Sequence, residues 1–292
     1  MKRKNVLSAI AFFVIACGMI SCSSSNEKND SDKPEKTTTV DKKKQPLNVS
    51  IFIDLSHRIV EESDGLKGVE KDTAIVSIIT DYISTNAYKN KIKFNKDHIK
   101  VFFHPAPTDP NTAKLAKQLE VNFGGFDKTQ IQEKMNAATN LTKNFNSYLQ
   151  NIYDAAIQQS NYIGSDIWGF FNTKAQKNCV MDGYRNVLIV ITDGYIYHKD
   201  NLNEDQAKKQ STFITKKSLA EGYSLTPVGQ LSNLEVLMLE LKTNPVSDFE
   251  KMKTTISDWF DAIGISKYDI LETDLPANLK KPITDFLNGN SK

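Results

Sequence analysis

The feature that most constrains the fold of this chain is an alternation of short apolar runs with amphipathic helical segments from residue 47 onward. Five runs have the length and composition expected of strands buried on both faces of a parallel sheet. They are Leu47–Ile53, Ile99–Phe103, Val187–Ile191, Leu234–Leu241 and a weaker run at Tyr268–Leu271. Apolar residues recur at helical spacing between them, within residues 74–83, 145–156 and 249–263. This order predicts an α/β fold, with a doubly wound, mostly parallel sheet and helices on both faces.

The predicted domain occupies residues 47–292. Two of its connections, residues 161–185 and 195–233, are too long for simple loops, so we expect extra helices or surface insertions there. From residue 47 onward the chain has 28 basic and 30 acidic residues, a net charge of −2. A nucleic-acid-binding domain normally shows a basic face, and this balance predicts no nucleic-acid partner.

The first 46 residues have a different character. A basic start, an apolar run from Val6 to Ile20 and a small residue predict a secretory signal peptide over residues 1–21. The sequence Met19-Ile20-Ser21-Cys22 resembles the bacterial lipobox, which implies that Cys22 becomes the lipidated N-terminus. Residues 22–46 are polar and are predicted to be a disordered linker. The expected location is the bacterial cell envelope, lipid-anchored at the outer membrane or cell surface.

Three cysteines are too few for a disulfide framework, and none are spaced as Cys-x-x-Cys, which excludes a zinc ribbon. After processing, Cys179 is the cysteine left in the fold. We interpret it as a small buried residue, with a reactive thiol as the alternative.

Two strand ends carry aspartates that stand out. Asp54 follows the first predicted strand and Asp193 follows the third. Ligands bind such sheets at the carboxyl ends of the strands, and a carboxylate left unpaired there would be costly. Asp54, Ser56 and Asp193 supply the hard oxygen ligands that suit Mg²⁺, Mn²⁺ or Ca²⁺. The alternative is that these aspartates only cap the turns that follow them.

At these residues the sequence resembles the von Willebrand factor A domain. The segment Asp54-Leu55-Ser56-His57-Arg58 matches the start of its Asp-x-Ser-x-Ser motif, and Thr192-Asp193-Gly194 matches its Thr-Asp-Gly motif. Residues 127–138 look like its second helix, and Ala138-Thr139-Asn140-Leu141 resembles the turn that supplies a threonine ligand. The resemblance implies a metal-ion-dependent adhesion site formed by Asp54, Ser56, Thr139 and Asp193, with Thr142 as a rival to Thr139.

One residue departs from this pattern. Arg58 stands where the family has its last serine, and a guanidinium has no lone pair with which to ligate a metal. Arg58 either points away, so that water fills the vacant position, or lies between Asp54 and Asp193 in place of the cation. His57 and His198 flank the same rim and are interpreted as surface residues, with a metal or proton-transfer role as the alternative.

Three functions from different classes follow. The leading one is a membrane-tethered, von Willebrand A-like binding module that engages a protein partner, for which the resemblance implies a divalent cation. The second is a metal-dependent phosphohydrolase that uses Asp54, with His57 or His198 for proton transfer. The third is a structural envelope lipoprotein with a degenerate site in which Arg58 replaces the metal.

Overall fold

A computed structural model describes residues 45–159, 165–196, 212–213, 231–242 and 249–290 of the chain. The strands are β1 (Leu47–Ile53), β2 (Glu62–Ser63), β3 (Leu66–Lys67), β4 (His98–Phe102), β5 (Glu120–Asn122), β6 (Arg185–Ile191), β7 (Tyr195–Ile196), β8 (Thr212–Phe213), β9 (Leu234–Leu241) and β10 (Tyr268–Glu272). The helices are α1 (Gly68–Lys89), α2 (Pro110–Ala116), α3 (Ile131–Thr139), α4 (Leu141–Gln159), α5 (Ile167–Phe170), α6 (Gln176–Cys179), α7 (Phe249–Ala262) and α8 (Pro276–Asn288).

Six of these strands form one sheet in the order β10-β9-β6-β1-β4-β5. All neighbours are parallel except β5, which pairs antiparallel to β4 at one edge. This confirms the predicted α/β fold with a doubly wound, mostly parallel sheet. The strand order reverses between β1 and β6, the point at which doubly wound sheets bind their ligands.

Two apolar layers cover the sheet because strand side chains alternate between its faces. On β1, Val49, Ile51 and Ile53 face the layer that contains α1, α4 and α8, whereas Phe52 faces the layer of α5 and α7. Residues of β6 and β9 alternate in the same way. The central strands are therefore buried on both faces, which explains their nearly continuous apolar sequence.

The long runs are found close to their predicted positions, and the differences have local causes. The helix predicted from residue 127 begins at Ile131, because the Asp127 carboxylate accepts hydrogen bonds from the backbone N–H groups of Thr129 and Gln130 and forms a turn first. In the stretch 161–185, helices α5 and α6 are joined through a π-helical segment, Phe171–Ala175, and pack in the second layer. Of residues 197–230, only β8 is described.

The chain divides into two units, Met1–Lys43 and Lys44–Lys292. The predicted signal peptide, Cys22 and the linker up to residue 44 lie outside the described residues. Within the described residues, no helix combines the length and the apolar character that crossing a bilayer requires.

Cys179 provides a test of the second layer. Its side chain is fully buried, and burial raises the pKa of the thiol to about 12. Since the thiolate is the reactive species, we expect Cys179 to resist alkylation at about pH 8 in the native protein and to react after denaturation. Mass spectrometry of the Cys179 peptide after iodoacetamide treatment measures this. Rapid labelling of the native protein would contradict the packing described here.

Candidate functional site

The two aspartate-bearing strand ends meet where the strand order reverses. Asp54 directly follows β1, and its backbone N–H donates to the Ile191 carbonyl at the end of β6, 3.1 Å away. One carboxylate oxygen of Asp54 accepts from the backbone N–H of Ser56 at 2.8 Å, and the other accepts from the Thr192 hydroxyl at 2.9 Å. Asp54 is fully buried, so both of its oxygens are already used inside the protein.

Thr192 and Gly194 hold the turn after β6. The Thr192 hydroxyl donates to Asp54 and accepts from the Gly194 N–H at 3.1 Å. Gly194 has a φ of +88°, and a Cβ there would come within 2.8 Å of the Met252 sulfur. This position requires glycine because both the backbone conformation and the space exclude a larger residue. The turn fixes Thr192 against Asp54.

Arg58 lies inward from this rim. It is 8% exposed and sits on a short 3₁₀ turn, His57–Val60, that follows β1. Its two terminal nitrogens donate to the two carboxylate oxygens of Asp72 at 3.0 and 2.8 Å, and one of them also donates to the Ile191 carbonyl at 3.2 Å. Its Nε lies 3.9 Å from Asp54 Oδ2. The guanidinium therefore lies between Asp54 and Asp72.

Asp72 and Tyr153 complete the buried cluster. Asp72 is on α1, Tyr153 is on α4, and both are fully buried. The Tyr153 hydroxyl donates to Asp72 Oδ2 at 2.9 Å. Burial alone would lower the pKa of Arg58, but the carboxylates of Asp72 and Asp54 outweigh it and raise that pKa above its ordinary value. Asp193 also raises the pKa of Arg58, by a smaller amount. Arg58 therefore carries a permanent positive charge near three carboxylates.

Of the four residues that the resemblance implies as ligands, Asp54, Ser56 and Asp193 lie at this edge of the sheet and Thr139 does not. Thr139 is exposed at the end of α3, where its hydroxyl is 2.7 Å from the Tyr88 hydroxyl. Tyr88 is at the far end of α1 from Asp72, about 24 Å away for sixteen residues of helix. The rival Thr142 donates to Asp81, also away from Asp54.

The direction of α4 explains why Thr139 and Thr142 lie away from Asp54. It runs antiparallel to α1, so that Asn146 bonds to Ser77 and Tyr153 bonds to Asp72 further along the pair. The turn between α3 and α4 consequently lies at the amino-terminal edge of the sheet. The residue that α4 brings to Asp72 is Tyr153, which the sequence motifs did not indicate.

Of the two histidines considered as site residues, His57 lies in the described part of the chain. The side chain of His57 is 66% exposed, and its Nδ1 lies 3.4 Å from Glu61. His198 lies outside the described residues.

The donor set does not fit a divalent cation. Both oxygens of Asp54 accept hydrogen bonds, the threonine ligand is absent from this edge, and a guanidinium lies 3.9 Å from Asp54. No group of three or more acidic, histidine or cysteine side chains among the described residues could hold a metal ion. A cation here would be repelled by Arg58.

A second charged cluster borders the first. Lys71, next to Asp72 on α1, donates to Asp64 and to the Thr273 hydroxyl, both at 2.9 Å, and lies 3.6 Å from Glu240. Glu240 is 6% exposed and has a φ of +68°, where the pairing of β9 with β10 shifts register. The bulge turns an acidic side chain of an apolar strand toward this edge. Burial raises the pKa of Glu240, and the hydrogen bond from Thr273 offsets part of that shift.

A narrow cleft opens over both clusters. Its lining residues include Arg58, Glu61, Lys71, Asp193, Glu240 and Lys242. Apart from Arg58 and Asp193, sequence reasoning did not find them. The sequence feature that could have indicated these clusters is a charged residue where an apolar one is expected. Asp72 shares the buried face of α1 with Ile75, Ile79 and Ile83. Glu240 interrupts the apolar sequence of β9.

No known protein family matches this chain, and no curated protein matches it. Among solved structures, it is similar to an aerotolerance-related membrane protein from Bacteroides fragilis NCTC 9343, with 16% identity and a TM-score of 0.38 over 84% of this chain and 100% of that chain. It is also similar to the pilus adhesin SpaC from Lactobacillus rhamnosus GG, with 11% identity and a TM-score of 0.39 over 85% of this chain and 31% of that chain. At these TM-scores the likenesses carry no assignment of family, activity or partner.

Arg58→Ser tests whether the guanidinium is a structural cation. The variant leaves Asp54 and Asp72 buried without a positive charge, so we expect a loss of about 3–5 kcal/mol in the free energy of unfolding. His57→Ala is the matched control, since His57 is next to Arg58 in the chain but has an exposed side chain. It should change the free energy of unfolding by less than about 0.5 kcal/mol. Urea unfolding measures both. A stable Arg58→Ser variant that binds Mg²⁺ more tightly than the native protein would instead identify a cation site blocked by Arg58.

Proposed function

We propose that this chain is a von Willebrand A-like binding module of the bacterial cell envelope, tethered through lipidated Cys22, that engages a protein partner at the edge around Asp54 and Asp193 without a divalent cation. The observation that carries the proposal is the bidentate contact of Arg58 with Asp72 beside Asp54. It places a fixed positive charge beside Asp54, one of the residues that the family resemblance implies as metal ligands. Part of the negative charge at the reversal point of the sheet is thus balanced by the protein itself.

The position of this edge supports a role in binding. It lies outside the carboxyl ends of β1 and β6, where doubly wound sheets present their ligand sites. The cleft there is bordered by charges of both signs, including Glu61, Asp193 and Lys242. A polar, charged rim of this kind favours recognition of a protein surface through hydrogen bonds and charge complementarity.

The same geometry argues against the phosphohydrolase alternative. A nucleophilic or metal-ligating Asp54 would need an accessible oxygen, and both of its oxygens are buried in hydrogen bonds to Ser56 and Thr192. His57, the nearest histidine in the sequence, lies at the surface against Glu61.

Photo-crosslinking in the native envelope tests the binding edge. A photoreactive amino acid at Glu61, whose side chain is 51% exposed, should give a discrete crosslinked adduct, and one at Gln132 on α3 should not. The adduct should persist in EDTA, because no cation is required, and should fall several-fold in Asp193→Ala.

Thr139→Ala is the matched control for Asp193→Ala, since the resemblance implies it as a ligand but the structure places it at the other edge. It should leave the adduct unchanged. An adduct abolished by EDTA would overturn the cation-independent mechanism. Equal labelling from Glu61 and Gln132, or no adduct from either position, would favour a structural lipoprotein with a degenerate site.

Lipidation has a direct test. Mass spectrometry of the mature protein should find an acylated N-terminal peptide that begins at Cys22, and Cys22→Ser should abolish both the acyl group and the processing. Cys17→Ser, within the predicted signal peptide, should leave both unchanged. A mature protein that retains residues 1–21 or carries no acyl group would refute the anchor.

A further inference from the structure

The amino-terminal edge of the sheet carries an exposed basic segment, residues 89–96, which we call the basic loop. Its four lysines, Lys89, Lys91, Lys93 and Lys96, are all exposed, and it contains no acidic residue. Phe94 is 69% exposed, more than any other large hydrophobic side chain described. An exposed aromatic ring among lysines is typical of a surface that binds a partner with both negative charge and an apolar region.

Internal contacts hold the basic loop in place. Buried Asp97, directly after it, accepts hydrogen bonds from the side-chain amides of Asn86 and Asn95, both at 2.8 Å. The buried side chain of Lys134 donates to the Asn95 carbonyl at 2.6 Å. Lys91 adopts a φ of +58°, a conformation that is unfavourable for a residue with a Cβ. The exposure of Phe94 is therefore a property of a defined turn.

The basic loop lies beside the point where the described chain begins. Asp97 also accepts a hydrogen bond from the Leu47 backbone N–H at 2.8 Å, and Leu47 is the first residue of β1. The sequence places three more lysines, Lys42, Lys43 and Lys44, directly before Gln45. Under the proposed function, this is the edge at which the lipidated segment joins the fold.

We propose that the basic loop binds the anionic headgroups of a phospholipid bilayer, with Phe94 entering the interface. A basic surface next to a bilayer attracts anionic headgroups, and an aromatic side chain at the interface adds an apolar contact. The proposal deepens the proposed function by orienting the domain. Because α1 spans about 33 Å between the two edges, the cleft around Asp193 would face away from the bilayer and toward a partner.

The test uses the full acylated chain reconstituted in vesicles of phosphatidylcholine alone or with roughly 30% phosphatidylglycerol. Phe94→Trp reports insertion through quenching by brominated lipid, and Leu275→Trp is the matched control, since Leu275 is 41% exposed near the opposite edge. Native Trp168 and Trp259 are buried and give a constant background. We expect quenching of Phe94→Trp only with phosphatidylglycerol and its loss at high salt, while Leu275→Trp stays unquenched.

Lys91→Gly in the Phe94→Trp background separates charge from folding. It removes one lysine and relieves the left-handed backbone, so it should not destabilise the fold. The ratio of docked to undocked protein should fall about fivefold. Lys280→Gln, an exposed lysine on α8, should leave the ratio unchanged.

Flotation of the same vesicles distinguishes this inference from the anchor. Protein that floats with both vesicle types but shows no phosphatidylglycerol-dependent quenching has its anchor and overturns the role of the basic loop. Protein that floats only with phosphatidylglycerol, with quenching lost at high salt, supports the loop and refutes the anchor. Quenching that is equal in the two lipids, or equal for Phe94→Trp and Leu275→Trp, overturns the proposed orientation. Binding of soluble heparin to the basic loop, without quenching of Phe94→Trp in vesicles, would instead assign the loop to a soluble polyanion.

Discussion

The buried guanidinium of Arg58 is the interaction on which the carboxyl edge of this sheet depends. Burial and the repulsion from Asp54 both raise the pKa of Asp72, so these two buried carboxylates need a positive group beside them. Arg58 supplies it through a planar, bidentate contact with Asp72 that also approaches Asp54 at 3.9 Å. A metal ion would meet the same electrostatic requirement but would be repelled by the guanidinium beside Asp54.

The cluster connects three parts of the fold. Arg58 follows β1, Asp72 lies on α1, and Tyr153 reaches the pair from α4. A second contact, from Arg58 to the Ile191 carbonyl, reaches the end of β6. One side chain therefore links both strands at the reversal point to the layer of helices on one face of the sheet. A charge change at position 58 affects packing as well as the site, which is why stability is the informative readout there.

Helix α1 gives the domain two distinct edges. Its first turns carry Lys71 and Asp72 into the charged clusters at the carboxyl edge, and its last turn leads into the basic loop at the amino-terminal edge. The overall charge of the fold hides this arrangement, because the 28 basic and 30 acidic residues nearly cancel. The separation of a mixed-charge cleft from a basic, aromatic loop appears only when the chain is placed in three dimensions.

The sequence by itself determined the elements and the class of fold. Buried parallel strands and amphipathic helices have distinct periodicities, so β1, β6 and β9 could be predicted close to their observed bounds, and the helices α1, α4 and α7 could be located although α1 and α4 extend beyond the predicted stretches. The placement of Asp54 and Asp193 at one edge of the sheet was also predictable, because both follow parallel strands whose carboxyl ends share that edge. The motif around Thr139 does not follow a strand, so its edge of the sheet could not be predicted in this way. A turn between two helices has no strand to place it, and the direction of α4 decided that it lies at the opposite edge. Only the tertiary structure could show that Arg58 turns inward to Asp72. The packing of α1 against the sheet brings the two residues together, and no local sequence motif predicts that contact.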